Sequence, residues 1–250
     1  DYKDISVAMS LGMRDKSQQV RETAIGLLTK LELSKEELNG VIDPIFKNGS
    51  IGEQQKILSV LGELPADRSD TALEKLIAKG KSGQLDDSVI LDLMEATEAS
   101  GSEKLISALE PLKKKGNGIE PYMETLSGGK PWIGRRVFNR NPIGQCVRCH
   151  AVGGSGGQVG PALDQIGSVL SKEELLEALI QPSKRLAPGY GTITVTLKDG
   201  QVVNGVLEKE NEHEIIVRTS DAEPMEITIS RIKKRENSIS AMPAMGKLIT

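Results

Sequence analysis

Apolar residues recur at helical spacing along the first 116 residues of the chain. They lie three and four positions apart, for example at Val20, Ala24, Leu27 and Leu31, as on one face of an amphipathic helix. Predicted helices open near residues 17, 51 and 86, so that a helical pair repeats every 34 to 35 residues. We therefore predict that residues 1–116 form an all-α, HEAT-like solenoid, with a plain helical bundle as the alternative.

The pattern changes after a segment rich in glycine and proline, residues 117–131, which is predicted to be a linker. Residues 132–250 then begin with helical patterns, including a capping box that opens at Ser171. From about residue 190 to 236, five short β-branched runs alternate with turns, the first turn lying at Lys198–Gln201. We expect a mainly α domain with an inserted small SH3-like or Sm-like β-barrel, or else an irregular sheet.

Composition narrows the classes of partner. The chain has 35 acidic and 32 basic residues and a net charge of −3, which gives no general nucleic-acid footprint. No apolar run approaches the length of a membrane span. Aromatic residues are scarce, and four of the six lie after residue 120, namely Tyr122, Trp132, Phe138 and Tyr190. A flat apolar cofactor bound on this side would supply apolar surface that the sequence otherwise lacks.

The strongest chemical signal is the pentapeptide Cys146–His150. It contains both cysteines of the chain and one of its two histidines, in the arrangement CxxCH. CxxCH is the attachment signature of a c-type haem, in which two thiols bond to the porphyrin and the adjacent imidazole binds the iron. The sequence therefore predicts one covalent haem c, held by Cys146 and Cys149, with His150 as an iron ligand.

Three other interpretations of this pentapeptide are weaker. A structural zinc site needs four ligands, and only the remote His213 could complete the set. A thioredoxin-like redox pair expects a strand before the motif, whereas residues 140–145 have the composition of a loop. A disulfide between residues three apart would close almost no loop and would add little stability.

The ordered motifs of residues 132–250 resemble class I cytochrome c. They are Gly134 to Phe138, the CxxCH, Gly160-Pro161-Ala162-Leu163 and Met242-Pro243. The same residues look more specifically like a haem-binding domain of planctomycete and verrucomicrobial type. The matching stretches are Val159–Leu163, Ser171–Leu176, Pro182–Lys184, Ala187–Tyr190 and Ala241–Pro243.

The resemblance implies roles for individual residues. The carbonyl of Pro161 would accept a hydrogen bond from His150 and so orient it, and Phe138 would pack near the haem. A distal methionine raises the potential and favours electron transfer. Its candidates are Met242, preferred because Met-Pro is the usual context in the family, and Met245. His213 is the rival that would give a bis-histidine haem.

Some features depart from the family pattern or extend it. His150 and Met242 are 92 residues apart, more than a minimal cytochrome needs, and the β insertion accounts for the excess. The helix that normally follows the methionine has no counterpart before Thr250, which implies a shortened chain or a fragment. Trp132, Arg135 and Arg136 are candidates for contacts with the haem propionates, although an exposed surface charge is the preferred interpretation of both arginines.

These features predict an electron-transfer protein rather than an enzyme. Since haem c is attached outside the cytoplasm, we expect an exported or periplasmic protein. The resemblance implies a redox partner protein or an upstream dehydrogenase domain as the source of electrons. One alternative is a haem-based sensor or enzyme with a labile distal site. The other is a docking scaffold in which the haem is structural.

Overall fold

The computed structural model describes residues 2–219, 223–246 and 248. The chain divides into two compact units. The first comprises residues 1–115 and 123–129, and the second comprises residues 116–122 and 130–250. The residues that follow Met242, where a class I cytochrome c has a further helix, lie partly outside the described residues.

The first unit is helical throughout its described residues. Its α-helices are α1 (Tyr2–Gly12), α2 (Gln18–Gly26), α3 (Lys35–Asn48), α4 (Ile51–Glu63), α5 (Ala66–Lys81), α6 (Ile90–Ser100) and α7 (Glu103–Leu109). Short 3-10 turns cover Leu27–Lys30 and Asp87–Val89. A longer 3-10 segment, Glu120–Leu126, lies inside the segment predicted to be a linker, and its residues are divided between the two units.

Local sequence sets where these helices begin. A capping box at Ser34 opens α3, since its hydroxyl accepts from the N–H of Glu37 and the Glu37 carboxylate accepts from the N–H of Ser34. An equivalent box, at Ser50 and Glu53, opens α4. The even-numbered helices α2, α4 and α6 pack in series, and α3, α5 and α7 pack in a second series. A single apolar core fills the space between them.

A buried ion pair joins α2 to α4. Nε of Arg21 donates to Oε1 of Glu53 at 2.8 Å, and Glu53 is only 8% exposed. The Arg21 guanidinium, together with the Ser50 hydrogen bonds, holds the pKa of Glu53 down at about 2. In the unfolded chain the same carboxyl has an ordinary pKa near 4.5.

This ion pair predicts how stability depends on pH. A carboxyl whose pKa is lowered by folding contributes stability above its unfolded pKa and loses it as pH falls through the folded value. Unfolding by urea is therefore expected to become easier between about pH 5 and pH 2, by on the order of 1–2 kcal/mol because water partly screens the pair. Glu53→Gln should remove this part of the dependence, whereas Glu36→Gln, at an exposed position, should retain it. An unchanged pH profile in Glu53→Gln would contradict the assignment.

The second unit combines short helices with two β-sheets. Its helices are α8 (Pro131–Arg140), α9 (Cys146–Cys149), α10 (Ile166–Val169) and α11 (Lys172–Ile180). The predicted capping box at Ser171 opens α11. A two-stranded hairpin is formed by β1 (Ala151–Val152) and β2 (Ser155–Gly156). The larger sheet contains β3 (Thr192–Leu197), β4 (Val202–Glu210), β5 (Glu214–Arg218), β6 (Met225–Thr228) and β7 (Ile232–Asn237).

The predicted fold class is wrong. The large sheet is antiparallel with the order β6-β5-β4-β3-β7, and among the described residues its two edge strands, β6 and β7, do not pair, so the sheet is open and no barrel is closed. With a five-stranded sheet and a hairpin, the chain is a mixed α/β protein rather than a mainly α one. Alternate residues of each strand face one apolar core, which includes Val195, Leu207 and Val217.

No helix among the described residues combines the length and the apolarity that a membrane crossing would require.

Candidate functional site

The CxxCH residues lie on one helical turn. Helix α9 consists of Cys146–Cys149, and the N–H of His150 donates to the carbonyl of Cys146 at 2.9 Å. The turn is entered through Gln145, whose φ of 45° is in the left-handed region. Cys146 is half-buried, Cys149 is exposed, and neither is in a disulfide. Both thiols are therefore presented by one helical turn, and the imidazole follows directly at its C-terminal end, where His150 has an extended backbone.

The chain after His150 turns back immediately. Gly153 and Gly154 have φ of 61° and 74°, which suits a two-residue turn between β1 and β2. The N–H of Gly157 then donates to the carbonyl of Val147 at 2.9 Å, and that of Gly160 to the carbonyl of Cys149 at 2.8 Å. We call residues 153–161 the glycine loop. It folds over α9 and is hydrogen-bonded to it at two points.

The imidazole of His150 is fixed by the end of the glycine loop. Its Nδ1 lies 2.8 Å from the carbonyl oxygen of Pro161, the contact that the cytochrome resemblance implies. Because a carbonyl oxygen can only accept, Nδ1 must carry the proton and the lone pair of the neutral ring lies on Nε2. No hydrogen bond of the described residues engages Nε2. The ring is thereby prepared to bind a metal through Nε2.

Gly160 sets how closely the loop approaches the ring. A Cβ at this position would lie 2.6 Å from Cε1 and 2.9 Å from Nδ1 of His150. Gly157 is equally constrained, because a Cβ there would lie 1.9 Å from the carbonyl oxygen of Arg148. These glycines are functional in that they allow the backbone to reach α9 and His150. The sequence shows the run of glycines, but only the fold shows what they contact.

Gly160→Ala is expected to displace the imidazole and break its contact with Pro161. The added methyl cannot fit behind the ring, and overpacking of this kind costs about 1–3 kcal/mol. In the haem-free protein, ¹⁵N NMR of the ring nitrogens should show the proton shared between Nδ1 and Nε2 instead of held on Nδ1. Gly167→Ala, where nothing lies within 4 Å of the new methyl, is the matched control and should keep the wild-type tautomer. An unaltered tautomer in Gly160→Ala would count against this role.

Apolar side chains stay unburied on the helices that precede, contain and follow the CxxCH in sequence. Helices α8, α9 and α10 contain no buried residue, and the two apolar cores of the described chain do not extend to them. Phe138 is half-buried, and Val159 and Val169 are about 70% exposed. A folded region of this size normally buries such side chains. The free thiols, the oriented imidazole and the unburied apolar side chains together fit a covalently attached flat apolar group such as haem c.

The two candidate methionines have different surroundings. Met245 is 5% exposed and its N–H donates to the carbonyl of Leu179 at 2.8 Å, so it anchors the C-terminal loop to α11. Met242 is half-buried and lines an open cleft of about 720 Å³ beside the segment Gln181–Lys184. His150 is not among the residues that line this cleft. The structure therefore brings Pro161 to His150 and places Met242 in a cleft whose lining does not include His150.

The other predicted residues lie at the surface. Trp132, Arg135 and Arg136 are exposed on α8, and His213 is exposed at the turn between β4 and β5. In the part of the chain that the structure describes, no three His, Cys, Asp or Glu side chains meet in a group that could hold a metal ion. The alternative of a zinc site completed by His213 therefore has no support in the geometry.

Sequence comparison adds no assignment: no protein-family model matches this chain, and no curated protein matches it significantly.

Proposed function

We propose that the second unit is a c-type cytochrome domain that carries one covalent haem and transfers single electrons. The observation that carries the proposal is the 2.8 Å contact between Nδ1 of His150 and the carbonyl of Pro161, on the residue that completes the CxxCH. This contact leaves Nε2 of His150 with a free lone pair beside two free thiols. When bound, the haem would supply a reversible one-electron couple between ferric and ferrous iron.

The residues of the chain would hold this group and tune it. Cys146 and Cys149 would bond to the porphyrin through their sulfurs, and His150 would bind the iron through Nε2. The Pro161 carbonyl keeps the proton on Nδ1, which raises the basicity of the ligand nitrogen. The apolar side chains of α8 and α10 would exclude water from the porphyrin, and a drier, less polar surrounding shifts the potential.

Met242 remains our proposed distal ligand. Met242 lines an open cleft, whereas the side chain of Met245 is buried and its N–H is bound to the carbonyl of Leu179 in α11, which indicates a structural role. Since the cleft that Met242 lines does not include His150, a haem sensor or enzyme with a labile distal site is the second candidate. That alternative needs a polar acid–base group above the iron, and His213, exposed at its turn, is badly placed to serve as one.

The experiment that tests the function is redox spectroscopy of the full chain made with haem-attachment machinery. We expect a reversible one-electron titration and no change of the reduced spectrum under carbon monoxide at neutral pH. Carbon monoxide binding by the intact protein would favour the sensor or enzyme. A haem that cannot be cycled would favour a structural role in a docking scaffold. Since attachment of haem c requires export, we also propose a periplasmic or other exported location.

A further inference from the structure

Charge is distributed unevenly around the CxxCH. From residue 125 to residue 163 the sequence has no Asp or Glu, although the chain as a whole has more acidic than basic residues. The same stretch contains five basic residues, Lys130, Arg135, Arg136, Arg140 and Arg148. The haem-attachment motif therefore lies in a locally cationic part of an acidic protein.

Most of this charge lies on one face of α8. Trp132, Arg135, Arg136 and Arg140 are separated by three and four residues, the spacing of neighbours on a helix surface. All four are exposed, and the Arg136 guanidinium lies 5.9 Å from the centre of the Trp132 ring. We call these four residues the α8 stripe. Trp132 is 64% exposed, which is unusual for so large an apolar side chain.

The arginines of the α8 stripe have no ionic partner within the described residues. No carboxylate there lies within salt-bridge distance of Arg135, Arg136 or Arg140. Four other arginines of the second unit are in ion pairs, for example Arg185 with Glu174 and Arg235 with Glu210. An anionic partner could therefore bind the stripe without first breaking an internal ion pair.

We propose that the α8 stripe is a docking surface for a protein with an acidic face, which under the proposed function is the electron-transfer partner. Exposed tryptophan and arginine are the residue types that contribute most at protein interfaces. Complementary charge accelerates encounter and selects orientation, and α8 contacts α9, so a partner here would approach the CxxCH. Nucleic acid fits less well, since the chain is acidic overall and the stripe is only three turns long.

Trp132 allows the proposal to be tested without haem, because it is the only tryptophan in the chain. The full chain is titrated with an oligoglutamate peptide at low ionic strength, and tryptophan fluorescence is recorded. We expect a saturable change that weakens as salt is added. An oligolysine peptide of equal length should give no change. Absence of a saturable response to oligoglutamate would overturn the proposal.

Charge reversal shows whether the site is local. Arg135→Glu with Arg136→Glu should weaken peptide binding roughly tenfold or more. Lys233→Glu with Lys234→Glu, on β7, changes the net charge equally and should leave binding within about twofold. Equal weakening in both double variants would refute a local site. If the α8 variant loses its helical circular dichroism, Arg136→Ala alone replaces it, with a smaller expected loss of binding in the same direction.

Two further results distinguish a protein partner from nucleic acid, and the docking proposal from the proposed function. Tighter binding of a DNA duplex than of a peptide with the same charge would overturn the choice of a protein partner. The docking proposal depends on the proposed function only in one respect, namely that the partner exchanges electrons with the haem. A chain that never acquires haem but binds oligoglutamate through the α8 stripe would therefore contradict the proposed function and support the docking surface.

Discussion

Replacing Cys146 and Cys149 together by alanine is expected to give a colourless protein even in a host that attaches haem c. The chain has no other cysteine, so no thiol would remain to form a thioether bond with the porphyrin. His150 alone would leave any haem held only by coordination, and purification would remove it. Each single variant keeps one thiol and should retain part of the covalent haem. The measurement is absorbance of the denatured protein, in which only covalent haem stays with the chain.

The control for this experiment lies in the same helical turn. Val147→Ala changes a half-buried residue between the two cysteines and removes no thiol, so it should retain the full haem content. The core of the first unit is made of residues from α1 to α7 and should stay folded in every variant, as judged by helical circular dichroism. Covalent haem in the double-alanine variant would disprove the assignment of these thiols.

Replacing Met242 by alanine is expected to abolish the weak sulfur-to-iron absorption band of the oxidised haem protein and to lower its potential. A thioether ligand stabilises ferrous iron, so its loss favours the ferric state. Met245→Ala should keep the band, because that side chain is buried and its backbone is bound to Leu179 of α11. It should instead destabilise the protein by about 2–5 kcal/mol, the usual cost of truncating a buried methionine. Both variants are compared by visible spectra, redox titration and urea unfolding.

A third variant separates ligand loss from general disturbance. His213→Ala alters an exposed turn and should change neither the band nor the potential. The opposite pattern, with the band lost in Met245→Ala and kept in Met242→Ala, would transfer the ligand to Met245. If the wild-type haem has a low potential and His213→Ala alters both that potential and the visible spectrum, the result would instead establish bis-histidine ligation.

Local signals in the sequence predicted the secondary structure well. The capping boxes at Ser34 and Ser171 open helices, and all five strands between residues 190 and 236 are present close to the predicted bounds. Capping and alternation act over a few residues, so they can be recognised without knowledge of the fold. Closure of a barrel depends on whether the first and last strands meet. Strand patterns do not encode that contact, and the predicted barrel is an open sheet.

In the candidate site too, features close together in sequence were predicted and contacts that depend on distant residues were not. Cys146, Cys149 and His150 are contiguous in sequence, and Pro161 is near enough for the family resemblance to imply its contact with His150. The roles of Gly157 and Gly160 were missed, because the need for glycine comes from the atoms of α9 and His150 that their backbones approach. Met242 follows the whole β-sheet in sequence, so its position relative to His150 depends on long-range packing that no local motif specifies.

The most direct test is the intact mass of the full chain after expression in a host that attaches haem c, measured under denaturing conditions. The account predicts the mass of the polypeptide plus one haem, with no free thiol left to react at Cys146 or Cys149. The polypeptide mass alone, from a host shown to attach haem to another CxxCH protein, would contradict it.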